Sequence, residues 1–411
     1  MNDETLLRAS INRRTLMTGV GTSALILATG SSAIAADTTM PAPGKGQKTG
    51  AASDRLAYVS SYTPEGKGIT LWRVAGATGA LTLVKTFEAD NPSWIALDAA
   101  HHTLYAVNEN EPEGGVTAYA IDPATGDLSK INTVSSKGKW PCHLSVHPSG
   151  KFVLAANYGT GTVAVFPILA NGGVGEASDV QGNPGPLNPA QAKDSPPGQT
   201  GPSDHSGPHF HMVQADPAGR FIIANDAGRD QIVRWSLDVA TGKLSAAPSP
   251  ILAVEAGSAP RHFAFHPSGR IIYNLQEQDG IVSVYHYDPE TAALTPMQSL
   301  SLFAPGFAGS FLGSELALSP NGRFLYAAAR LVDTITVFAI NRDGSLTRSG
   351  ETWTRNDYPR SFAIDPSGTF LFACNQKGNA VTTFRINPHN GALDFTGHFA
   401  PVGSPVSMVF L

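Results

Sequence analysis

His143-Leu-Ser-Val-His-Pro-Ser-Gly-Lys-Phe-Val-Leu-Ala-Ala-Asn157 is an apolar strand, a Pro-Ser-Gly turn and a second apolar strand that ends on a polar residue. The pattern returns around Asp216-Pro217-Ala218-Gly219, His266-Pro267-Ser268-Gly269, Ser319-Pro320-Asn321-Gly322 and Asp365-Pro366-Ser367-Gly368. A degenerate sixth copy spans 94–109, with Ala99-Ala100-His101 in place of the turn. Such a repeat sets the architecture and aligns positions that otherwise look unrelated.

Each unit continues past its second strand. Thr162-Val-Ala-Val-Phe166, Gln231-Ile-Val-Arg-Trp-Ser-Leu237, Ile281-Val-Ser-Val-Tyr-His-Tyr287, Thr334-Ile-Thr-Val-Phe-Ala-Ile340 and Ala380-Val-Thr-Thr-Phe-Arg-Ile386 alternate and are rich in β-branched and aromatic residues, as third strands should be. Asp-x-x-Thr-Gly-x-Leu turns at 122–128 and 238–244 then lead to a weaker fourth strand. No stretch has helical periodicity. Four antiparallel strands in a unit of 46 to 53 residues describe a propeller blade. One spacing is longer, 69 residues, and holds a Pro/Gly/Asn-rich insertion over about 171–207. Strands left over at both ends (56–60, 69–74 and 81–87 at one, 406–411 at the other) complement one another as a seventh blade. Pairing the termini would close the ring and remove its exposed edges. The fold class is therefore all-β, a seven-bladed β-propeller over 55–411.

Residues 1–35 read as a cleaved export signal of the bacterial twin-arginine kind. Arg13-Arg14 precedes a mildly apolar run over 20–29, and Ala33-Ile34-Ala35 offers small residues for cleavage. The run is too short and too rich in Gly, Ser and Thr to span a bilayer. A disordered linker is expected over 36–54, no membrane span once the signal is gone, and a periplasmic or secreted location. The net charge of −5, with Lys and Arg scattered, gives no basic stripe and excludes a nucleic-acid partner. Oligomeric state is not legible. Cys142 and Cys374 read as two inert buried thiols.

In a propeller the first strand of each unit lines the central channel, and its start lies beside the end of the second strand. Counting from the turn Gly (His101 in the degenerate copy), Ser93, Cys142, His211, Arg261, Ser314 and Arg360 stand eight residues before it. Trp94, His143, Met212, His262, Glu315 and Ser361 stand seven before it; Glu109, Tyr158, Ala227, Glu277, Arg330 and Gln376 stand eight after it. These registers gather three histidines, three arginines and three glutamates at one mouth, and the opposite mouth carries Pro, Ser, Asn and Gly. Ionisable groups concentrated in a concavity are the signature of an active site. His147 and His266, next to the turn prolines, are read as turn caps.

The motifs Pro141-Cys-His-Leu-Ser-Val-His-Pro-Ser-Gly150, Ala156-Asn-Tyr-Gly159, Gly207-Pro-His-Phe-His211, Pro260-Arg-His-Phe-Ala-Phe-His-Pro-Ser-Gly269 and Gly313-Ser-Glu-Leu-Ala-Leu-Ser-Pro-Asn-Gly322 together resemble the seven-bladed propeller lactonase family. That family includes propeller-type 6-phosphogluconolactonases and carboxy-cis,cis-muconate cyclases. The resemblance runs from about Leu56 to the C-terminus and implies hydrolysis of a sugar lactone. It places the family's active-site His, two Arg and Glu on His211 (or His209), Arg261, Glu277 and Arg330. Gln276 stands where the family has Asn, and Ala328-Ala329 where it has a more polar pair.

Lactone hydrolysis needs a base for the water and a donor for the oxyanion. Glu277 or His211 is the expected base, and Arg261 or Arg330 the expected electrophile. His143, His209, His262, Glu315 and Arg360 are expected to bind and orient the substrate. No Gly-x-Ser-x-Gly nucleophile occurs. An Arg- and His-rich ring disfavours a hard cation, so neither metal nor other cofactor is expected. Two rivals use the same residues: a muconate-type cycloisomerase, and a non-catalytic exported binding propeller.

Overall fold

The computed structural model describes residues 53–411 except 99, 101, 184, 186–200 and 202. The expected signal sequence and nearly all of the expected linker lie outside the described residues. Among the described residues every regular element is a β-strand, and the strands form seven four-stranded antiparallel sheets. Blade 1 is closed by both termini: Pro405–Phe410 pairs antiparallel with Arg55–Ser61, and Ile69–Val74 and Leu81–Phe87 complete the sheet. Blades 2 to 7 follow over 94–135, 141–182, 210–253, 260–301, 312–353 and 359–401.

The second strands are buried along their whole length, as in Phe152–Asn157, Ile271–Gln276, Phe324–Arg330 and Phe370–Asn375. Their neighbours on both faces are other blades, so they read as continuous rather than alternating apolar runs, whereas outer strands such as Leu346–Trp353 are largely exposed. Seven apolar clusters result, each shared by two adjacent blades. Phe370 and Phe372 of blade 7 pack with Val59 and Trp72 of blade 1, so the ring closes through its core as well as through its strand pairing.

A second device recurs at the rim. The hydroxyls of Tyr58, Tyr105, Tyr273 and Tyr326 donate to the carbonyls of Gly126, Gly172, Gly344 and Gly391 in the next blade, at 2.6 to 3.0 Å. Those glycines sit in left-handed turns (φ 74 to 83), which present the carbonyl to the neighbour. The turn histidines behave as expected: His147 Nδ1 and His266 Nδ1 accept the amides of Ser149 and Ser268 at 3.1 Å.

Part of the insertion is regular structure. Asp179–Gly182 within it forms the outer strand of blade 3, paired with Thr162–Pro167. Beyond that strand, Asn183 Nδ2 donates to Asp226 Oδ2 at 2.7 Å and fixes the chain to blade 4.

Candidate active site

Two registers, eight and seven residues before the turn Gly, feed one mouth, although neighbouring residues of a strand should face opposite ways. β-Bulges resolve this. The ladder skips Cys142, His211, Arg261, Ser314-Glu315, Arg360 and Val406 at the start of six inner strands. A bulge leaves its extra residue unpaired and re-aims it. Entry into the strands is fixed by backbone in the left-handed region at Trp140, Ala259, Tyr358 and Ser404, each just before a strand-opening proline (φ 41 to 64). The carbonyl of Ala259 accepts the Glu277 amide at 2.8 Å, and Trp140 and Tyr358 do the same for Tyr158 and Gln376. Strained backbone thus pins the ends of the second strands, where the third register lies.

Within the mouth, Arg261 Nε and Arg330 Nη2 both lie 3.0 Å from Glu277 Oε2. Arg261 is 2 % exposed; it also donates through Nη1 to the Ser314 carbonyl. Arg330 Nη2 donates to the Gly313 carbonyl at 2.9 Å, and its guanidinium lies over Tyr358, 5.4 Å from the ring centre. Burial alone would raise the Glu277 carboxyl, but Arg330 and Arg261 outweigh it and hold the group below the usual carboxylate range. Burial, reinforced by Arg330, brings the Arg261 guanidinium down to about 10.

The floor is aromatic. Trp94, His143 and His262 come from blades 2, 3 and 5 and meet across the channel with ring centres 4.8 to 5.6 Å apart; His211 joins at 5.1 Å from His262. Burial, then neighbouring cations, drive the pKa values of His143, His211 and His262 well below the ordinary imidazole value, so all three are neutral. His262 Nδ1 lies 3.0 Å from Glu315 Oε1, and burial pushes that carboxyl up to about 8. His209 stacks on Tyr158 at 4.5 Å, donates through Nδ1 to the Tyr158 carbonyl, and has Nε2 3.3 Å from Asp204.

On the far side Arg360 lies over Tyr62, 5.3 Å from the ring centre, and the Tyr62 hydroxyl donates to Glu109 Oε2 at 2.6 Å. Arg360 is raised: burial would lower it, but Tyr62 and Glu109 prevail.

The structure therefore brings together Arg261, Glu277 and Arg330, and beside them His143, His211, His262 and Glu315. Met212 shares a register with the histidines yet packs into the apolar core between blades 4 and 5. Tyr62 was not reachable by counting. It follows Ser61, the partner of Pro405, and so holds the place in blade 1 that Glu277 holds in blade 5. The termini of blade 1 have no turn glycine from which to count. Ser203 Oγ, 3.3 Å from Glu277 Oε1, is also new; it comes from the insertion, outside the repeat.

Among the described residues, no three or more His, Cys, Asp or Glu converge as metal ligands. Cys142 and Cys374 are buried thiols, both raised by desolvation. A cavity of about 1040 Å³ between blades 1 and 2 is lined by Lys67, Asp90, Asn108 and Glu113 and by none of the expected site residues.

Comparison with known proteins finds the same seven-bladed architecture. The family model "Lactonase, 7-bladed beta-propeller" matches residues 56–410, and the chain belongs to that family. The 6-phosphogluconolactonase of Bacillus subtilis is 31% identical over 313 residues, 75% of this chain and 84% of that one. The 6-phosphogluconolactonase of Pectobacterium carotovorum is 33% identical over 312 residues, with the same shares. The solved periplasmic gluconolactonase PpgL of Pseudomonas aeruginosa superposes with a TM-score of 0.79 at 29% identity, covering 87% of this chain and 99% of that one. None of these names favours the cycloisomerase or the binding-module reading.

Proposed function

We propose that this chain hydrolyses the ring ester of a sugar lactone of the gluconolactone class, by direct attack of water. The observation that carries the reading is the pair of buried guanidiniums meeting on Glu277 Oε2 above neutral imidazoles. Arg261 and Arg330 polarise the lactone carbonyl and hold the oxyanion that forms on it; fixed cations in a water-poor site are effective there. Glu277 is a weak base while two cations hold it, and its role is to align them. The proton acceptor is a neutral imidazole with an unpaired ring nitrogen, His211 or His262. His143, His209 and Arg360 orient the sugar. When the tetrahedral species collapses, the ring C–O bond breaks and the leaving alkoxide takes back the proton.

Export belongs to the same proposal. Arg13-Arg14 and the small residues at 33–35 support it, and so does the periplasmic gluconolactonase of similar fold. Among the described residues no helix is long and apolar enough to cross a membrane. The test is hydrolysis of glucono-1,5-lactone and its 6-phosphate by purified protein, corrected for spontaneous opening. Turnover of either above the blank supports the reading; turnover of neither, with folded protein, refutes it.

A further inference from the structure

Five histidines lie in or around the mouth, and their ring nitrogens are engaged differently. His205 has Nδ1 on the Ser203 carbonyl and Nε2 3.2 Å from Asp230. His209 has Nδ1 on the Tyr158 carbonyl and Nε2 facing Asp204. In His205 both nitrogens are hydrogen-bonded, whereas His209 Nε2 lies 3.3 Å from the Asp204 carboxylate without a hydrogen bond. His143 accepts the Val213 amide on Nδ1 at 3.4 Å, which places its proton on Nε2 and makes it a donor. Among the described residues nothing hydrogen-bonds the His211 ring, whose Nδ1 is buried, so no partner selects its tautomer.

His262 alone combines a carboxyl partner on one ring nitrogen with an unpartnered, buried nitrogen on the other. Glu315 Oε1 already accepts the Leu316 amide at 2.9 Å, which marks it as the acceptor oxygen of that carboxyl. His262 Nδ1 therefore carries the proton and donates to Oε1. The lone pair is left on Nε2, on the side of the ring away from blade 6. Ring orientation is fixed further by Trp94, edge-on at 5.3 Å, and by His143 and His211. A carboxyl that selects the tautomer of a histidine is the arrangement that readies an imidazole to accept a proton.

We propose that His262 is the general base of the hydrolytic step and that Glu315 is its positioning residue. This rests on the lactonase reading above. The water oxygen bonds to the lactone carbonyl carbon as one of its protons passes to His262 Nε2. The oxyanion on the former carbonyl oxygen is held by arginine. Collapse breaks the ring C–O bond, and the proton on Nε2 passes to the leaving oxygen, giving the open hydroxy acid.

The test uses the full chain and three measurements. His262→Phe keeps an aromatic ring in the floor and removes both nitrogens; kcat should fall about 10²-fold, a typical loss for a general base. Glu315→Gln keeps the shape but offers an amide; kcat should fall about tenfold or more with KM nearly unchanged, since substrate contacts remain. Nitrogen-15 spectra of ring-labelled histidine, assigned by difference against His262→Phe or Glu315→Gln, should show Nδ1 protonated and Nε2 bare. The proposal is overturned if wild-type protein hydrolyses the lactone and either folded variant keeps kcat within about threefold, or if the ring carries its proton on Nε2. A wild-type protein without lactone turnover would defeat the broader reading instead, and the spectrum would still decide the tautomer.

Discussion

Arg330 of blade 6 reaches back to Glu277 of blade 5, with Nη2 3.0 Å from Oε2. The contact crosses a blade boundary, so it ties the ring's geometry to its chemistry. Glu277→Ala leaves two buried guanidiniums facing each other. We expect a stability loss of about 3 kcal/mol, the usual consequence of stranding a buried charge, and at least a tenfold loss in kcat. Thermal melts and steady-state kinetics on Glu277→Ala and Glu277→Gln separate the two effects, because Gln keeps the volume.

Acid should weaken the fold from near pH 6.5 downward. His143, His211 and His262 are neutral when folded, with pKa values depressed by burial. Once unfolded they bind protons below about 6.5, so the unfolded state takes up more protons as pH falls. Each contributes a loss of about 1 kcal/mol per pH unit below that point. Glu315 has the opposite sign. Its raised pKa, about 8, gives stability that is complete below the unfolded value and is lost as pH rises through 8. Denaturant titrations from pH 5 to 9 should show a maximum between these limits, and Glu315→Gln should flatten the alkaline side.

Tyr273→Phe removes one of the hydroxyls that bond the next blade's turn, here the Gly344 carbonyl at 2.9 Å. The expected loss is about 1 kcal/mol with kcat unchanged, since the latch lies at the rim opposite the mouth. An equal loss of activity would show that the rim and mouth are coupled.

Deleting 405–411 removes the inner strand of blade 1 and exposes the edge of Arg55–Ser61. The truncated chain should be aggregation-prone and lack a cooperative melt. A soluble, cooperative truncated monomer would contradict closure by the termini.

The repeat carried the architecture because its turns are marked by glycines that adopt φ of 65 to 69, a conformation the Pro-Ser-Gly stretch announces. Counting from those glycines also located Arg261, Glu277, Arg330, His262 and Glu315. It could not foresee the bulges, which have no residue signature and yet explain why two adjacent registers serve one mouth. Tyr62 escaped because blade 1 closes without a turn. The outer strand Asp179–Gly182 escaped because four residues among Gly and Asn give no periodicity. Met212 and Ala227 show the limit of register alone, for a repeat fixes positions and leaves side-chain chemistry free.

The most direct test of the central claim is the rate of lactone opening by wild-type protein and by Arg261→Ala, on glucono-1,5-lactone and its 6-phosphate. The account predicts measurable wild-type turnover on at least one of them and a fall of at least about tenfold in the variant at unchanged fold. A folded Arg261→Ala protein with wild-type rates would contradict it.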